Sequence, residues 1–145
     1  MKALTICQPY AELIARGLKL VENRTWPTSY RGQLLIHAGK STKWLRLDCS
    51  KKFDAEYGIP LDEMSFGAIV ATAVLSACIP VERIIESRSG NGRLPPSWRF
   101  LETHEHVEGP YCFVLEDVNR IEPIPYRGAQ GFFEVSVPPF DAEAK

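Results

Sequence analysis

Residues 66–79, F-G-A-I-V-A-T-A-V-L-S-A-C-I, form the longest apolar stretch of the chain and limit what it can fold into. Ile69, Ala71, Ala73 and Leu75 alternate with Val70, Thr72 and Val74, and β-branched residues are frequent. That pattern predicts a long strand rather than a helix. The run is also shorter than the ~18 apolar residues a membrane helix needs, and it carries Thr and Ser. Further strands are predicted at 2–6, 20–25, 32–37, 111–115 and 132–137. A helix is predicted to begin at Gln8-Pro9, because Pro suits a first helical turn. Tyr10, Leu13 and Ile14 give it one apolar face, and Gly17 is its expected stop. A second helix is predicted over 41–57, with Trp44, Leu45 and Phe53 as core contacts, and a short one over 98–106. Trp98, like Trp44, reads more readily as core than as part of a ligand cage.

Residues 84–96 contain S-R-S-G-N-G-R and a double Pro, and are read as a loop or insertion. Pro123, Pro125 and Gly128 predict irregular backbone between the last two strands, and 138–145 reads as a loose tail. Five or six strands, two principal helices and turns rich in Gly and Pro predict an α+β fold, a small mixed β-barrel flanked by helices. At 145 residues this is expected to be one domain, over 1–140, with 141–145 as the loose end. No glycine-rich phosphate loop of the dinucleotide-binding or P-loop type is present.

Hydrophobic residues make up 45% of the chain and charged residues 24%, which excludes a disordered or low-complexity polymer. Residues 1–11 lack a sustained apolar stretch and a small-residue cleavage site, so no signal peptide is expected. A cytoplasmic location is the expectation, without membrane attachment. Cys7, Cys49, Cys78 and Cys112 are far apart, with no close pair of the zinc-site kind, and are expected to be reduced. His104 and His106 form an H-x-H near Glu102, Glu105 and Glu108. It reads as a solvated charged loop before it reads as a metal site, and no metal or cofactor is expected.

The net charge of −1 hides an asymmetry. Residues 1–52 carry ten basic side chains against three acids, whereas 53–145 carry seven against fifteen. A basic half on a neutral protein points to a local anionic partner, or to two halves that neutralise each other. Within the basic half, residues 17–24 place Lys19, Glu22 and Arg24 at the exit of a helix and the start of a strand. Glu22 and Arg24 share a strand face, and Lys19 sits in the turn beside them. Arg24 can grip a phosphate or a base edge bidentately, and Lys19 is a movable point charge. Glu22 can orient both cations, accept from an exocyclic amine, or act as a base. The same spacing also suits a structural ion network that pins the helix to the sheet.

The G-x-K-x-x-E-x-R pattern of residues 17–24 resembles the signature of the ASCH domain, a branch of the PUA-like superfamily, at every fixed position. The likeness extends in order to I-C-Q-P-Y-A at 6–11, L-L-I-H-A-G-K at 34–40, G-A-I-V at 67–70 and P-I-P-Y-R-G-A-Q-G-F-F at 123–133. The resemblance implies a PUA-like barrel with a cleft lined by the signature, and RNA, a nucleotide or a modified nucleoside as partner. Carried over by position, Lys19, Glu22 and Arg24 face that cleft, with Gln8 and Gln130 as polar walls. Trp26 is a candidate to stack on a base, or a lid on the barrel. His37 and Lys40 are candidate phosphate contacts, with a buried hydrogen-bonded histidine as the alternative for His37.

Two functions follow from the resemblance. The first is RNA or nucleotide binding through a positively charged cleft. The second is hydrolysis, of an N4-acetylcytidine-type amide or of RNA phosphodiesters, with Lys19 and Glu22 as the catalytic pair. The chain departs from the amidohydrolase branch, in which a Thr stands where this sequence has Glu22. If Lys19 and Glu22 touch, Lys19 stays an ammonium and serves binding or transition-state stabilisation.

Overall fold

The structure is a computed structural model and describes residues 1–43 and 59–136. The helix expected over 41–57, with Trp44, Leu45 and Phe53, therefore lies almost wholly outside the described residues, as do Cys49 and the expected tail. Six strands are described: β1 (Lys2–Ile6), β2 (Val21–Arg24), β3 (Gly32–Ala38), β4 (Ala68–Pro80), β5 (Tyr111–Pro125) and β6 (Phe132–Glu134). They form one sheet of order β2-β5-β4-β3-β1-β6. Two short α-helices, α1 (Tyr10–Ala15) and α2 (Val81–Arg88), and 3-10 segments at Leu61–Glu63 and Pro96–Glu102 complete the expected α+β class. The long strand read from its alternation is β4, whose residues beyond Ala71 alternate between buried and half-buried.

The chain forms two compact units. One comprises Met1–Leu18, Gln33–Ala73 and the chain from Asp117 onward; the other comprises Lys19–Gly32 and Val74–Glu116. In the first, β1 runs parallel to β3, with Ala3 opposite Leu35 and Ile6 opposite Ala38, and antiparallel to β6, with Ala3 opposite Phe133. Leu34, Leu35 and Ile36 are wholly buried, and each side chain of that size contributes about 1.5–3 kcal/mol by leaving water. Ala3, Leu35, Ile69 and Val135 pack with Ile121, Ile124, Tyr126 and Phe133. Leu13, Ile59 and Met64 form a second cluster with Tyr10 and Phe66.

Helix α1 ends where Gly17 was expected to stop it. Gly17 has φ +75°, its N–H donates to Ile14 O and that of Leu18 donates to Leu13 O, the paired bonds of a glycine C-cap. Its start is capped from the side: the Gln8 Oε1 accepts from the Glu12 N–H at 2.9 Å, while the Gln8 amide donates to Ser65 O at 2.8 Å. Glu12 is buried and accepts from Arg16 Nε at 2.8 Å and from both terminal nitrogens of Arg120. Charge pairing of that kind lets a helix of only six residues bury a carboxylate.

In the second unit, β2 pairs antiparallel with β5, with Val21 opposite Val114, Glu22 opposite Phe113 and Arg24 opposite Tyr111. Its core gathers Val21, Ala77, Ile79, Ile84, Leu94, Leu101, Cys112 and Val114, with Trp98 packed against it as expected. Cys7, Cys78 and Cys112 are free thiols. Burial pushes the Cys112 thiol up, which keeps it protonated and inert at neutral pH.

Two expectations are corrected. Residues 84–96 are not a loop throughout, because α2 occupies Val81–Arg88. Ile84 is its only buried residue, so the apolar period is weak. The Gly that suggested a loop is instead the helix's stop: Gly90 has φ +79°, and the Asn91 N–H closes back on Glu86 O. Strand β5 does not end at Leu115 but continues to Pro125. Asp117, at φ 51°, introduces a single left-handed residue, and the prolines fall at the strand's end, where a missing N–H is tolerated. The short helix expected over 98–106 is a 3-10 segment over Pro96–Glu102.

Candidate functional site

The signature residues come together in the second unit as a nearly closed ion network. Lys19 leaves the turn after α1, and its Nζ donates to Val21 O at 2.6 Å and to Glu22 Oε1 at 2.9 Å. Glu22 offers its other oxygen, Oε2, to Arg24 Nη2 at 2.9 Å. Alternation along β2 puts Glu22 and Arg24 on one face, which makes this sharing possible. The Lys19 side chain is 4% exposed, Glu22 11% and Arg24 22%. An ammonium that donates to a carbonyl and a carboxylate is a donor, not a base, and Glu22 neutralises one of its two cations.

The opposite face of β2 carries Asn23. Its amide donates to His106 O at 2.9 Å, and its carbonyl accepts from the Glu108 and Gly109 N–H groups at 3.0 and 2.9 Å. His104, read as a loop residue, instead accepts the Leu20 N–H on Nε2 at 3.1 Å, which requires that nitrogen to be unprotonated. Burial, and then the neighbouring His106, push the His104 imidazole below its usual range. The His104 and His106 rings lie 5.6 Å apart, and no cluster of three or more metal-ligating side chains occurs among the described residues. Trp26 sets its ring edge-on against the buried Phe113, with centroids 5.3 Å apart.

In the first unit, His37, Lys40 and Gln130 meet around one cavity of about 430 Å³, together with Thr5, Tyr126 and Arg127. His37 lies at the end of the buried run of β3 and is itself buried. Its Nε2 is 2.7 Å from Tyr126 O, and a carbonyl only accepts, so Nε2 carries the hydrogen. Nδ1, 3.1 Å from Thr5 Oγ1, is then the acceptor of the threonine hydroxyl in the neutral ring. Both ring nitrogens are thus engaged, and His37 positions the loop after β5 rather than offering a free donor. Phe133 closes the arrangement, edge-on to His37 and stacked with Tyr126.

Two glycines make the cavity. A Cβ on Gly128 would lie 2.6 Å from His37 Cε1 and 2.7 Å from Thr5 Oγ1, so any side chain there displaces the histidine. Gly67, at φ +64°, lets the Lys40 stem pass where a Cβ would lie 2.9 Å from its Cε. Lys40 and Arg127 are exposed, and neither forms an ion pair among the described residues. Gln130 is exposed beside them. Gln8 is placed differently: it is fully buried, its Oε1 caps α1 at the Glu12 N–H, and its Nε2 is spent on Ser65 O. The contributions of Arg127 and Tyr126 were missed, although the P-Y-R-G turn between Pro125 and Gly128 was the signal for an exposed basic loop.

A six-stranded sheet with a few helices is the α+β, PUA-like fold seen in ASCH structures. The ASCH domain family model matches residues 4–125, and the chain belongs to the ASCH family. The match runs through segments of both units. Among solved structures, the chain is similar to an ASCH protein from Zymomonas mobilis, with a TM-score of 0.54 and 16% identity over 99% of this chain and 92% of that one. A Tyr-to-Phe mutant of that protein gives 0.53 at 16% identity, over 99% and 95% of the two chains. A likeness at that identity is one of fold. Among curated proteins, human Activating signal cointegrator 1 is 51% identical over 35 residues. Those residues are 24% of this chain and 6% of that protein, so the chain spans only a small part of its relative's length.

Proposed function

We propose that this ASCH domain binds RNA or a nucleotide, and that the cavity beside His37 receives it. The observation that carries the reading is the pair Lys40 and Arg127, two exposed cations without an acidic partner among the described residues, at the rim of a cavity of about 430 Å³. That volume falls in the range of small-ligand sites, which run from ~300 to ~1,000 Å³. Lys40 supplies a point charge and Arg127 a bidentate fork for phosphate oxygens. Gln130 offers both a donor and an acceptor to a base edge. The association of the ASCH family with RNA supports the same class of ligand. In this reading Lys19 and Glu22 hold each other within the signature cluster.

The test is binding of a fluorescent single-stranded RNA across a salt series, with the RNA checked for integrity afterwards. Each phosphate contact on a single strand adds ~0.7 to the slope of log affinity against log salt. Replacing Lys40 and Arg127 together by Ala is expected to weaken binding and to lower that slope by about 1.4. An unchanged affinity and slope in the double variant overturns the proposal. Cut RNA in the wild-type sample would move the reading to a nuclease.

A further inference from the structure

The second unit carries another cluster of basic side chains that the proposed ligand cavity does not use. Between the end of α2 and the 3-10 segment Pro96–Glu102 lies a concavity of about 500 Å³, lined by Ser87, Gly90, Gly92, Arg93, Arg99 and Glu102. We propose that this concavity is a phosphate subsite, in which Arg93 and Arg99 hold the oxygens of a phosphate group.

Three observations carry it. First, the arginines of this region divide into two kinds. Arg88 is committed to structure, with Nε donating to Glu102 O at 2.7 Å and Nη2 to Leu101 O at 3.2 Å, which satisfies carbonyls left open at the end of the 3-10 segment. Arg93 and Arg99 are exposed, take no part in an ion pair among the described residues, and line the same concavity. Second, the one acid on the wall is engaged: the Ser87 hydroxyl donates to Glu102 Oε1, and the same Ser87 oxygen accepts from the Leu94 N–H at 3.4 Å. With both arginines charged, the lining keeps a net positive charge. Third, the two lining glycines leave their backbone uncovered. A Cβ on Gly90 would meet nothing within 4 Å, and one on Gly92 only Glu86 Cβ at 3.7 Å. A phosphate can therefore approach the main chain at the same lining as the two guanidinium forks, each able to donate two parallel N–H bonds.

A phosphate could come from an RNA strand or from a free nucleotide or inorganic phosphate, and the chemistry of the site is the same for each. The experiment uses the whole chain, with wild type compared with Arg93→Gln, Arg99→Gln and the double variant. Both positions are exposed, and the variants are checked for folding by their amide spectra. Titration with inorganic phosphate and with uridine 5′-monophosphate, at ionic strength held constant with chloride, is followed on the arginine Nε–H signals. Saturating shifts at Arg93 and Arg99 in the wild type, and a weaker apparent affinity at the remaining arginine in each single variant, are the expected result. The salt slope for an oligouridine strand then separates the sources. A slope lowered by about 1.4 in the double variant assigns the subsite to RNA. An unchanged slope with the shifts present assigns it to a free phosphate or nucleotide. Absence of saturating shifts at both arginines, with an unchanged slope, overturns the proposal. None of these residues lies in the Lys40–Arg127 cavity, so either reading can fail while the other stands.

Discussion

Lys19 and Lys40 both belong to the basic half of the chain, yet the fold gives them opposite tasks. Lys19 is 3% exposed and spends its ammonium on Val21 O and Glu22, while Glu22 is shared with Arg24. Lys40 is exposed, lies over Gly67 at a cavity rim, and has no acidic partner among the described residues. The buried lysine is the one that a motif search singles out; the exposed one is the one free to meet an anion. A basic residue inside a signature is thus as readily a strut as a ligand contact, and burial decides between them.

The sharpest way to break this contrast is to remove each lysine in turn. Lys19→Ala leaves the Glu22 carboxylate buried with one cation fewer, and breaking a buried pair is expected to cost ~3–5 kcal/mol in urea unfolding. Lys40→Ala should change stability by less than ~0.5 kcal/mol, as exposed substitutions do. Equal losses in the two variants would dissolve the distinction. Gly128→Ala probes the cavity itself. Its methyl group must displace His37 or Thr5, an overpacking expected to cost ~1–3 kcal/mol and to weaken RNA or nucleotide binding at the same time. Retained binding with full stability would show that the cavity is not shaped as described.

At constant stability, the Lys40→Ala, Arg127→Ala double variant should lower the salt slope of binding, whereas charge-removing changes near the signature should act first on unfolding. The smallest expected effect concerns His104. Its folded pKa is pushed down by burial, so its contribution to stability is complete above the unfolded value near ~6.5 and is lost as pH falls below that value, through the folded one. His104→Gln keeps an acceptor for the Leu20 N–H without titrating. Chemical unfolding at a series of pH values should therefore show a steeper acid loss in wild type than in the variant. Parallel profiles would remove His104 as the titrating group.

How legible the molecule was depends on how local each decision is. Helix α1 and its stop at Gly17, the run of β3 and the length of β4 follow from periods and a glycine within a few residues. Helix α2 was missed because its apolar face reduces to Ile84, while Ser87 and Arg88 are secured by Glu102 and Leu101 of another segment. In the site, the sequence pointed to His37, Lys40 and Gln130 through their family positions, and the structure gathers them around one cavity. Gln8 was expected as a polar wall of the cleft and Asn23 only as a strand-face residue, since their actual partners, Ser65 and residues 106–109, are distant in sequence.

By itself, the sequence determined the α+β class, the strand alternation, the helix stop and the concentration of cations in residues 1–52, because backbone preference and side-chain period act over short distances. The tertiary structure alone decided which charges are consumed. Glu12 takes Arg120 from 108 residues away, and Leu20 finds His104 across 84. Such pairings depend on which distant segments the sheet brings side by side, and a charge left without one at the surface is what remains for a ligand.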